Sequence, residues 1–504
     1  MCTWLFACGI AAQGEPPAPS GENADGALLA RAEEQLDRED PVRALDSFRV
    51  LHRLRPESGD AALGLGRTHL MLGQSEVALS YADFCLGLNA LDQGAMTLSV
   101  NSLIRARRFD EAVSAANAFV ARQSSVSAEL YAARGSAYFR VQRIEEAATA
   151  YRACLRLDPG VAEAHLRLGS GLTAPHRAII TSDLVEAVAL AQRGDLAGSE
   201  RKLRAVLGEN PDLSMAHRLL GEVLFRARTE RSMALANPSF VYLAEHLPHA
   251  LVDGLQAARF LSSYQSLSPV RRRVADRALS LFAGRIHKLL ANGAHHDLLG
   301  ELERTTDSEW RKNLRGRRTF DGRVWDDVRG VGGLRAGTGI EALDEAADFG
   351  FDTLVHEIAH QVHYYAFDQE ERARITELYE RARAEGRFLD YYAASNEAEY
   401  FAQGVEAFAA LAKRPGCETT HGHTRFELYR RDPALHAFIA SVVDQDPLAD
   451  QVRRGALLSA AVDAALAAGR PEDALTGVLW MKDGRYRADR IKQCRVALAS
   501  TRGL

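Results

Sequence analysis

The chain has 504 residues, of which 47% are hydrophobic, and its formal net charge is −5. This length exceeds what one hydrophobic core organises, so we expect two to four domains. The near balance of 62 basic and 67 acidic residues argues against nucleic acid as a general partner, and no segment is long and apolar enough to span a bilayer.

Residues 1–25 precede the predicted folded domains and bear on export. Residues 5–8 (LFAC) resemble a bacterial lipoprotein box ending at Cys8, and residues 13–26, rich in Pro, Gly, Ser and Asn, resemble the tether that follows such a box. A basic leader is missing, so this interpretation needs a start further upstream. It favours a lipid-anchored protein of the bacterial cell envelope. The alternative is a disordered tail on a cytoplasmic protein.

Residues 26–231 carry an internal period near 34 residues. Alanines that open amphipathic helices recur at spacings of 34, 34 and 35, namely Ala44, Ala78, Ala112 and Ala147. Aromatic residues, small residues and Leu-Gly pairs repeat beside them: Phe48, Tyr151, Cys85, Cys154, Leu168-Gly169 and Leu220-Gly221. The pattern resembles tetratricopeptide repeats, which are helix–turn–helix units with small residues where helices approach closely.

This resemblance implies about five repeats, interrupted near residues 173–180, with a concave surface for a peptide or a protein partner. Substrate delivery, scaffold docking and mere support of another domain all stay open as roles. An unrelated helical bundle is the alternative fold. The cysteines form no C-x-x-C pair, and Cys85 and Cys154 at packing positions are predicted to be buried thiols.

Residues 232–445 form the next predicted domain. Residues 238–300 have a helical pattern, and residues 320–335 are the main candidate for strand. Within the glycine-rich residues 329–339, no lysine follows in phosphate-loop register. Residues 328–334 instead suit an edge strand that pairs with extended substrate through Val328, Val331 and Leu334, or equally a flexible loop.

Residues 354–360 (LVHEIAH) contain an H-E-x-x-H motif in an apolar, helix-forming context. On a helix, His356 and His360 project from one face and can coordinate one metal ion. Glu357 lies beside the first histidine, where its carboxylate can take a proton from an attacking water. The alternative is a partly buried helix with two structural histidines.

A second helix downstream carries acids on one face. Asn396 can cap this helix, and Glu399, Gln403 and Glu406 follow i, i+4, i+7 spacing. A catalytic zinc commonly takes three protein ligands, and His-His-Glu is one such set. The spacing alone leaves Glu397 and Glu406 open as alternatives to Glu399. The longer motif with a third histidine is absent, because its last two positions hold His363 and Ala366.

These two segments resemble the catalytic domain of the anthrax lethal factor type, a zinc endopeptidase of the gluzincin group. The matching residues are Tyr392, the acid Glu399 seven positions later, and Tyr400-Phe401-Ala402. The resemblance implies that Glu399 is the third ligand and that the Tyr392 hydroxyl stabilises the oxyanion. One position departs from that family, since Gln403 replaces an acid. Orientation of a zinc histidine then falls to Gln403 or to Glu406.

Three further histidines are near these motifs. His363 continues the His356–His360 face by one turn, and we expect a pocket-wall or orienting role rather than a ligand. His421 and His423 follow in a loop from which an imidazole could reach the oxyanion. A polar surface loop is the favoured interpretation of that segment.

Residues 446–504 contain another helical pair in repeat-like register, which we interpret as a C-terminal helical unit. The predicted fold is mainly α: a tetratricopeptide-repeat α-solenoid, then an α+β zincin-like metallopeptidase domain with a small sheet, then this unit. The predicted function is that of a zinc-dependent peptidase, an endopeptidase by resemblance, with one Zn²⁺ per chain and Glu357 as general base. Alternatives are a repeat scaffold with a non-catalytic zinc domain, and a zinc hydrolase of a non-peptide amide.

Overall fold

The computed structural model describes residues 22–38, 40–170, 180–247, 250–319, 323–347, 352–390, 392–412 and 423–501. Helices dominate these residues. The first part of the chain is a succession of short antiparallel helices: α1 Glu22–Asp37, α2 Pro41–Leu54, α3 Gly59–Met71, α4 Ser75–Leu88, α5 Gln93–Arg105, α6 Phe109–Val120, α7 Ala128–Arg140, α8 Ile144–Leu157, α9 Ala162–Gly169, α10 Ser182–Gln192, α11 Leu196–Glu209 and α12 Ser214–Ser232.

The repeat pattern in the sequence is a packing pattern in the structure. The four periodic alanines are completely buried, and Cys85 and Cys154 are buried thiols, as predicted. A Cβ added at Gly135 would lie 3.0 Å from the Tyr151 ring, so α7 and α8 approach closely because glycine leaves room for the aromatic ring. N-cap side chains such as Ser58 and Ser127 accept hydrogen bonds from the first turns of α3 and α7.

The regular stacking is replaced at α9 by a crossing with α12. A Cβ at Gly169 would lie 2.5 Å from the Arg218 backbone nitrogen, and one at Gly221 would lie 2.7 Å from Leu166. Two glycines therefore permit the contact, one from each of the predicted Leu-Gly pairs. The predicted interruption near residues 173–180 falls almost wholly on residues 171–179, outside the described residues.

Two buried histidines meet at this crossing. The Nδ1 atoms of His165 and His217 are 2.8 Å apart. Each Nε2 contacts the carbonyl oxygen of the proline six residues earlier, Pro159 at 3.3 Å and Pro211 at 2.9 Å. The two helices thus make the same contacts in both directions, which is local twofold pseudosymmetry.

The middle of the chain combines helices with a small sheet. Its helices are α13 Pro238–Glu245, α14 Gly254–Phe260, α15 Pro269–Ser280, α16 Ile286–Ala291, α17 Glu341–Ala347, α18 Thr353–Tyr365, α19 Gln369–Glu385, α20 Glu397–Ala409, α21 Arg425–Arg431 and α22 Pro433–Val442. The strands are β1 His295–Leu299, β2 Gly330–Val331 and β3 Arg335–Gly339, in the order β1-β3-β2. Strand β1 runs parallel to β3, and β2 runs antiparallel to it.

The strand predictions were wrong in extent. Residues 238–300 were expected to be helical but end in β1, and residues 320–335 contribute to the sheet mainly as the two-residue β2. Of the predicted edge-strand residues, Val331 lies in β2, whereas Val328 precedes it and Leu334 lies in the turn before β3. Strands β1 (HHDLL) and β3 (RAGTG) lack the β-branched pattern of strands, so burial and pairing in the tertiary structure determine their conformation.

The last helices are α23 Gln451–Ala467, α24 Pro471–Val478 and α25 Arg485–Thr501. They share a hydrophobic core with Phe240 and Leu243 of α13. They also contact the first repeat, because Arg43 of α2 donates to the buried Asp473 of α24 at 2.8 Å. The repeat array therefore begins against the C-terminal helices and ends against the small sheet.

The predicted tail and its lipoprotein-box residues 5–8 lie outside the described residues. Among the helices that the structure describes, none has the length and apolar character that crossing a membrane requires.

The histidine pair makes the α9–α12 crossing sensitive to acid. Burial and the neighbouring imidazole lower the pKa of His165 to about 3, and burial also lowers the pKa of His217. As the pH falls, the two imidazoles are protonated near pH 6.5 in the unfolded chain but only at lower pH in the folded one. The unfolded state therefore gains protons first, and the free energy of unfolding decreases below about pH 6.5. Between pH 7 and pH 5 we expect His165 alone to cost about 2 kcal/mol.

Hydrogen exchange of α9 and α12 amides, corrected for intrinsic rates, measures this loss of stability. The double variant His165→Asn/His217→Asn should show a much smaller change in protection between the two pH values. An equal change in the double variant would contradict the assignment.

Candidate metal centre

Helix α18 carries the H-E-x-x-H motif and is fixed to the sheet by one buried amide. The Asp352 side chain caps its first turn by accepting from Val355 N at 3.0 Å. The Gln361 Nε2 donates to the carbonyls of His295 at 3.2 Å and Leu334 at 3.3 Å, and its Oε1 lies 3.0 Å from His296 Nδ1. Sequence reasoning missed Gln361, because one amide in an apolar helix gives no signal of its partners.

Helix α20 brings the acid to the two histidines. Asn396 caps it by accepting from Glu399 N at 3.0 Å, as the sequence predicted. The Glu399 Oε2 lies 3.1 Å from His356 Nε2 and 3.4 Å from His360 Nε2, and the two Nε2 atoms are 3.1 Å apart. The structure thus brings together the three residues that the sequence proposed as ligands.

The three atoms fit a zinc ion in donor type and spacing. Zinc takes imidazole nitrogen and carboxylate oxygen at about 2.0–2.1 Å in a tetrahedron, whose ligands are then about 3.3 Å apart. The cluster of His356, His360 and Glu399 has two nitrogens and one oxygen at that mutual distance. One tetrahedral position would be left for water or substrate.

Burial and charge in this cluster favour a cation. Burial lowers the pKa of His356, but hydrogen bonds with Glu399 and Glu406 outweigh it and raise the pKa to about 10. Burial raises the pKa of Glu399, yet its hydrogen bonds with the two imidazoles bring that pKa well below its usual range. Burial raises the pKa of Glu406 to about 7 and also raises that of Glu357. Positive charge is therefore stabilised where the three ligand atoms meet.

Glu357 lies directly beneath the edge strand β2. A Cβ at Gly330 would be 2.7 Å from the Glu357 Oε1, and one at Gly332 would be 3.2 Å from its Oε2. Among the described residues, the buried Oε2 has no hydrogen-bond partner. The glycines thus let the strand approach the carboxylate, and the Glu357 side chain borders the cavity in front of it.

The neighbouring polar residues divide into two groups. Glu406 reaches the ligand His356, with its Oε2 3.7 Å from Nδ1, and Gln403 is buried one turn earlier on α20. His363 Nε2 lies 2.8 Å from Glu397 Oε1, and Glu397 Oε2 accepts from Thr376 at 2.7 Å. Glu397, the alternative ligand, is therefore engaged by His363 and Thr376.

A cavity of about 1890 Å³ lies in front of Glu357, and Tyr392 and His423 both border it. Asp390 joins these two residues: its Oδ1 accepts from the Tyr392 amide at 2.8 Å, and its Oδ2 lies 3.1 Å from His423 Nε2. A polar surface loop was the favoured interpretation for the segment of His423, and the structure places this residue at the border of the cavity with Asp390 as a partner. His421 lies outside the described residues. Asp390 was missed, although its position two residues before Tyr392 suits an Asx turn.

Comparison with known proteins identifies the first part of the chain. The Tetratricopeptide repeat family model matches residues 29–83, 97–162, 132–170 and 184–230. Residues 29–230 therefore carry tetratricopeptide repeats, as the sequence period predicted. No curated protein matches the chain.

Solved structures similar to the chain include repeat proteins. MamA (residue 41 to the end) from Desulfovibrio magneticus RS-1 is 18% identical, with 38% of this chain and 96% of that one covered and a TM-score of 0.26. A thermophilic TPR protein from Thermus thermophilus is 18% identical, with 38% of this chain and 97% of that one covered and a TM-score of 0.27. YrrB, described as a TPR protein with an unusual peptide-binding site, is 16% identical, with 38% of this chain and 88% of that one covered and a TM-score of 0.24.

The geometry predicts one zinc ion per chain. His360→Ala removes one of three ligands and should weaken zinc binding more than about 100-fold, the upper end of what changes around a ligand cost. His363→Gln on the same helix is the matched control and should bind zinc nearly as the wild type does. Competition with a chromophoric chelator measures both affinities. Equal affinity of His360→Ala and the wild type would contradict the predicted ligand set.

Proposed function

We propose that the protein is a zinc-dependent peptidase whose tetratricopeptide repeats bind protein. One observation carries the proposal: His356, His360 and Glu399 present three ligand atoms 3.1–3.4 Å apart, beside a Glu357 carboxylate with one oxygen that has no partner among the described residues. This combination supports metal-assisted hydrolysis, because it supplies both a metal site and a base next to it.

The residues suggest how the reaction would run. Zinc bound here would lower the pKa of a water to about 7 and polarise a substrate carbonyl. Glu357 would accept the proton from the attacking water through its carboxylate and then pass it to the leaving amine. Tyr392 and His423 border the same cavity and are the candidates to stabilise the oxyanion.

A peptide is a better substrate class than a small amide for this site. Strand β2 lies at the edge of the sheet above Glu357, where its backbone can pair with an extended chain. The backbone rather than the side chains would bind, because Val328 and Val331 are buried and Leu334 packs against the core. The cavity is also larger than the roughly 300–1,000 Å³ of small-molecule sites.

The proposal is tested with a mixed peptide library and the variant Glu357→Gln. This variant should retain one zinc per chain and lose cleavage at least about 100-fold, because general acid–base catalysis contributes about 10²–10⁴-fold. Cleavage is measured by mass spectrometry of the library and zinc by elemental analysis. Zinc in both proteins with no cleavage by either would favour a binding scaffold or a non-peptide substrate instead.

Two matched variants distinguish whether Tyr392 or His423 stabilises the oxyanion. If the Tyr392 hydroxyl donates to the oxyanion, Tyr392→Phe should lower kcat by about 10²–10³-fold with little change in KM. His423→Gln should then have a smaller effect, because its ring would serve mainly to hold the Asp390 turn. Steady-state kinetics on one cleaved peptide give both values. The reverse order of effects would assign the oxyanion to His423.

A further inference from the structure

The repeats and the candidate metal centre border one continuous cavity, here called the chamber. Helices α3, α5, α7, α9 and α12 line one side, and α3, α5 and α7 are the first helices of their pairs. His356, Glu357, Tyr392 and His423 lie on the other side. The volume of about 1890 Å³ is roughly twice the upper limit of about 1,000 Å³ for small-molecule sites.

The repeat array is held against the rest of the chain at both ends. At the first repeat, Arg31 pairs with Glu472 at 2.5 Å and Arg43 pairs with the buried Asp473 at 2.8 Å. At the other end, Gln192 donates to the Glu301 side chain at 2.8 Å. Separating the array from the rest of the chain would break these contacts and leave the buried Asp473 with Arg470, at 2.5 Å, as its remaining close cation.

The array is also close to the site between these ends. The turn after α3 approaches the segment before Tyr392, since a Cβ at Gly73 would lie 3.7 Å from the Asp390 Cα. His356, Glu357 and His360 are each less than 10% exposed. A scissile bond must therefore enter the chamber to reach Glu357, which an extended segment does more readily than a folded domain.

The chamber wall suits polypeptide in general rather than one charge class. Asn101 and Thr97 of α5 offer an amide and a hydroxyl, next to apolar side chains such as Leu63. Charged side chains in the wall pair with each other, as Arg167 does with Glu163 at 2.7 Å. An extended backbone can use such polar groups whatever its side chains are.

We propose that the chamber admits an extended, unstructured segment of a protein and excludes folded domains, so that the repeats hold the segment whose peptide bond is cleaved. This inference rests on the proposed peptidase function. It assigns the inner faces of α5 and α7 to substrate rather than to a separate partner.

A series of linker lengths tests the proposal on the full chain. A hexapeptide cleaved in the library is placed between two folded domains, with flexible Gly/Ser linkers of about 2 to 40 residues on each side. We expect cleavage of the free hexapeptide and of the long-linker substrates, and a loss of at least about 100-fold at the shortest linkers. Equal kcat/KM across the series would overturn the proposal, because the site would then be open at the surface.

Two bulky variants test the chamber wall. Ala132→Trp on α7 and Asn101→Trp on α5 fill it from the repeat side, and Ala118→Trp on the exposed face of α6 is the control. The first two should lower kcat/KM for the long-linker substrate at least about tenfold relative to Ala118→Trp, with zinc content unchanged. Thermal unfolding shows whether each variant folds. Rates equal to those of Ala118→Trp in both folded variants would contradict the proposal.

Failure of the peptidase function has a different signature. In that case the library yields no cleaved peptide, and binding of fluorescein-labelled, reduced and carboxymethylated lysozyme to Glu357→Gln is measured by anisotropy. Binding that Ala132→Trp weakens and Ala118→Trp does not would support the chamber without the peptidase. Absence of binding would overturn the chamber as well.

Discussion

The structure around the candidate metal centre depends on placing three carboxylates next to two imidazoles where α18 and α20 pack together. Glu357 and Glu406 are buried there and Glu399 is partly buried, so a charge without a counter-charge would be very costly. Two neutral imidazoles supply no positive charge to these acids, whereas bound protons or a divalent cation would. The helix pair therefore needs positive charge at one defined point, and the spacing of the ligand atoms matches a zinc ion there.

The sequence predicted these residues because helical spacing is a local property. His356 and His360 share a face at any helical geometry, and the Asn396 cap defined the start of α20. The partners of a side chain depend on tertiary structure, which explains why Gln361 and Asp390 were missed. The short strands were mislocated for the same reason: β1 and β3 have weak strand propensity and form because the core encloses them.

The repeat period likewise predicts how neighbouring helices pack, but it does not predict the direction that the whole array takes. Local small residues predict that each helix approaches the next. The crossing of α9 and α12 instead joins residues 52 apart, through glycines and histidines that also fit an ordinary repeat. Arg218 at this crossing donates to the Glu301 carbonyl after β1, and the inner helices of the array line the same cavity as Glu357.

The contact between Arg43 and Asp473 has a consequence for biosynthesis. The two residues are 430 positions apart, and ribosomes add about 5–20 residues per second. Asp473 is therefore synthesised on the order of a minute after Arg43. Neighbouring repeats can fold as they emerge, because each needs only the next. The contact between the first repeat and the C-terminal helices is completed last, which means that a truncated chain lacking α24 contains the His-His-Glu cluster without this attachment of the repeat array.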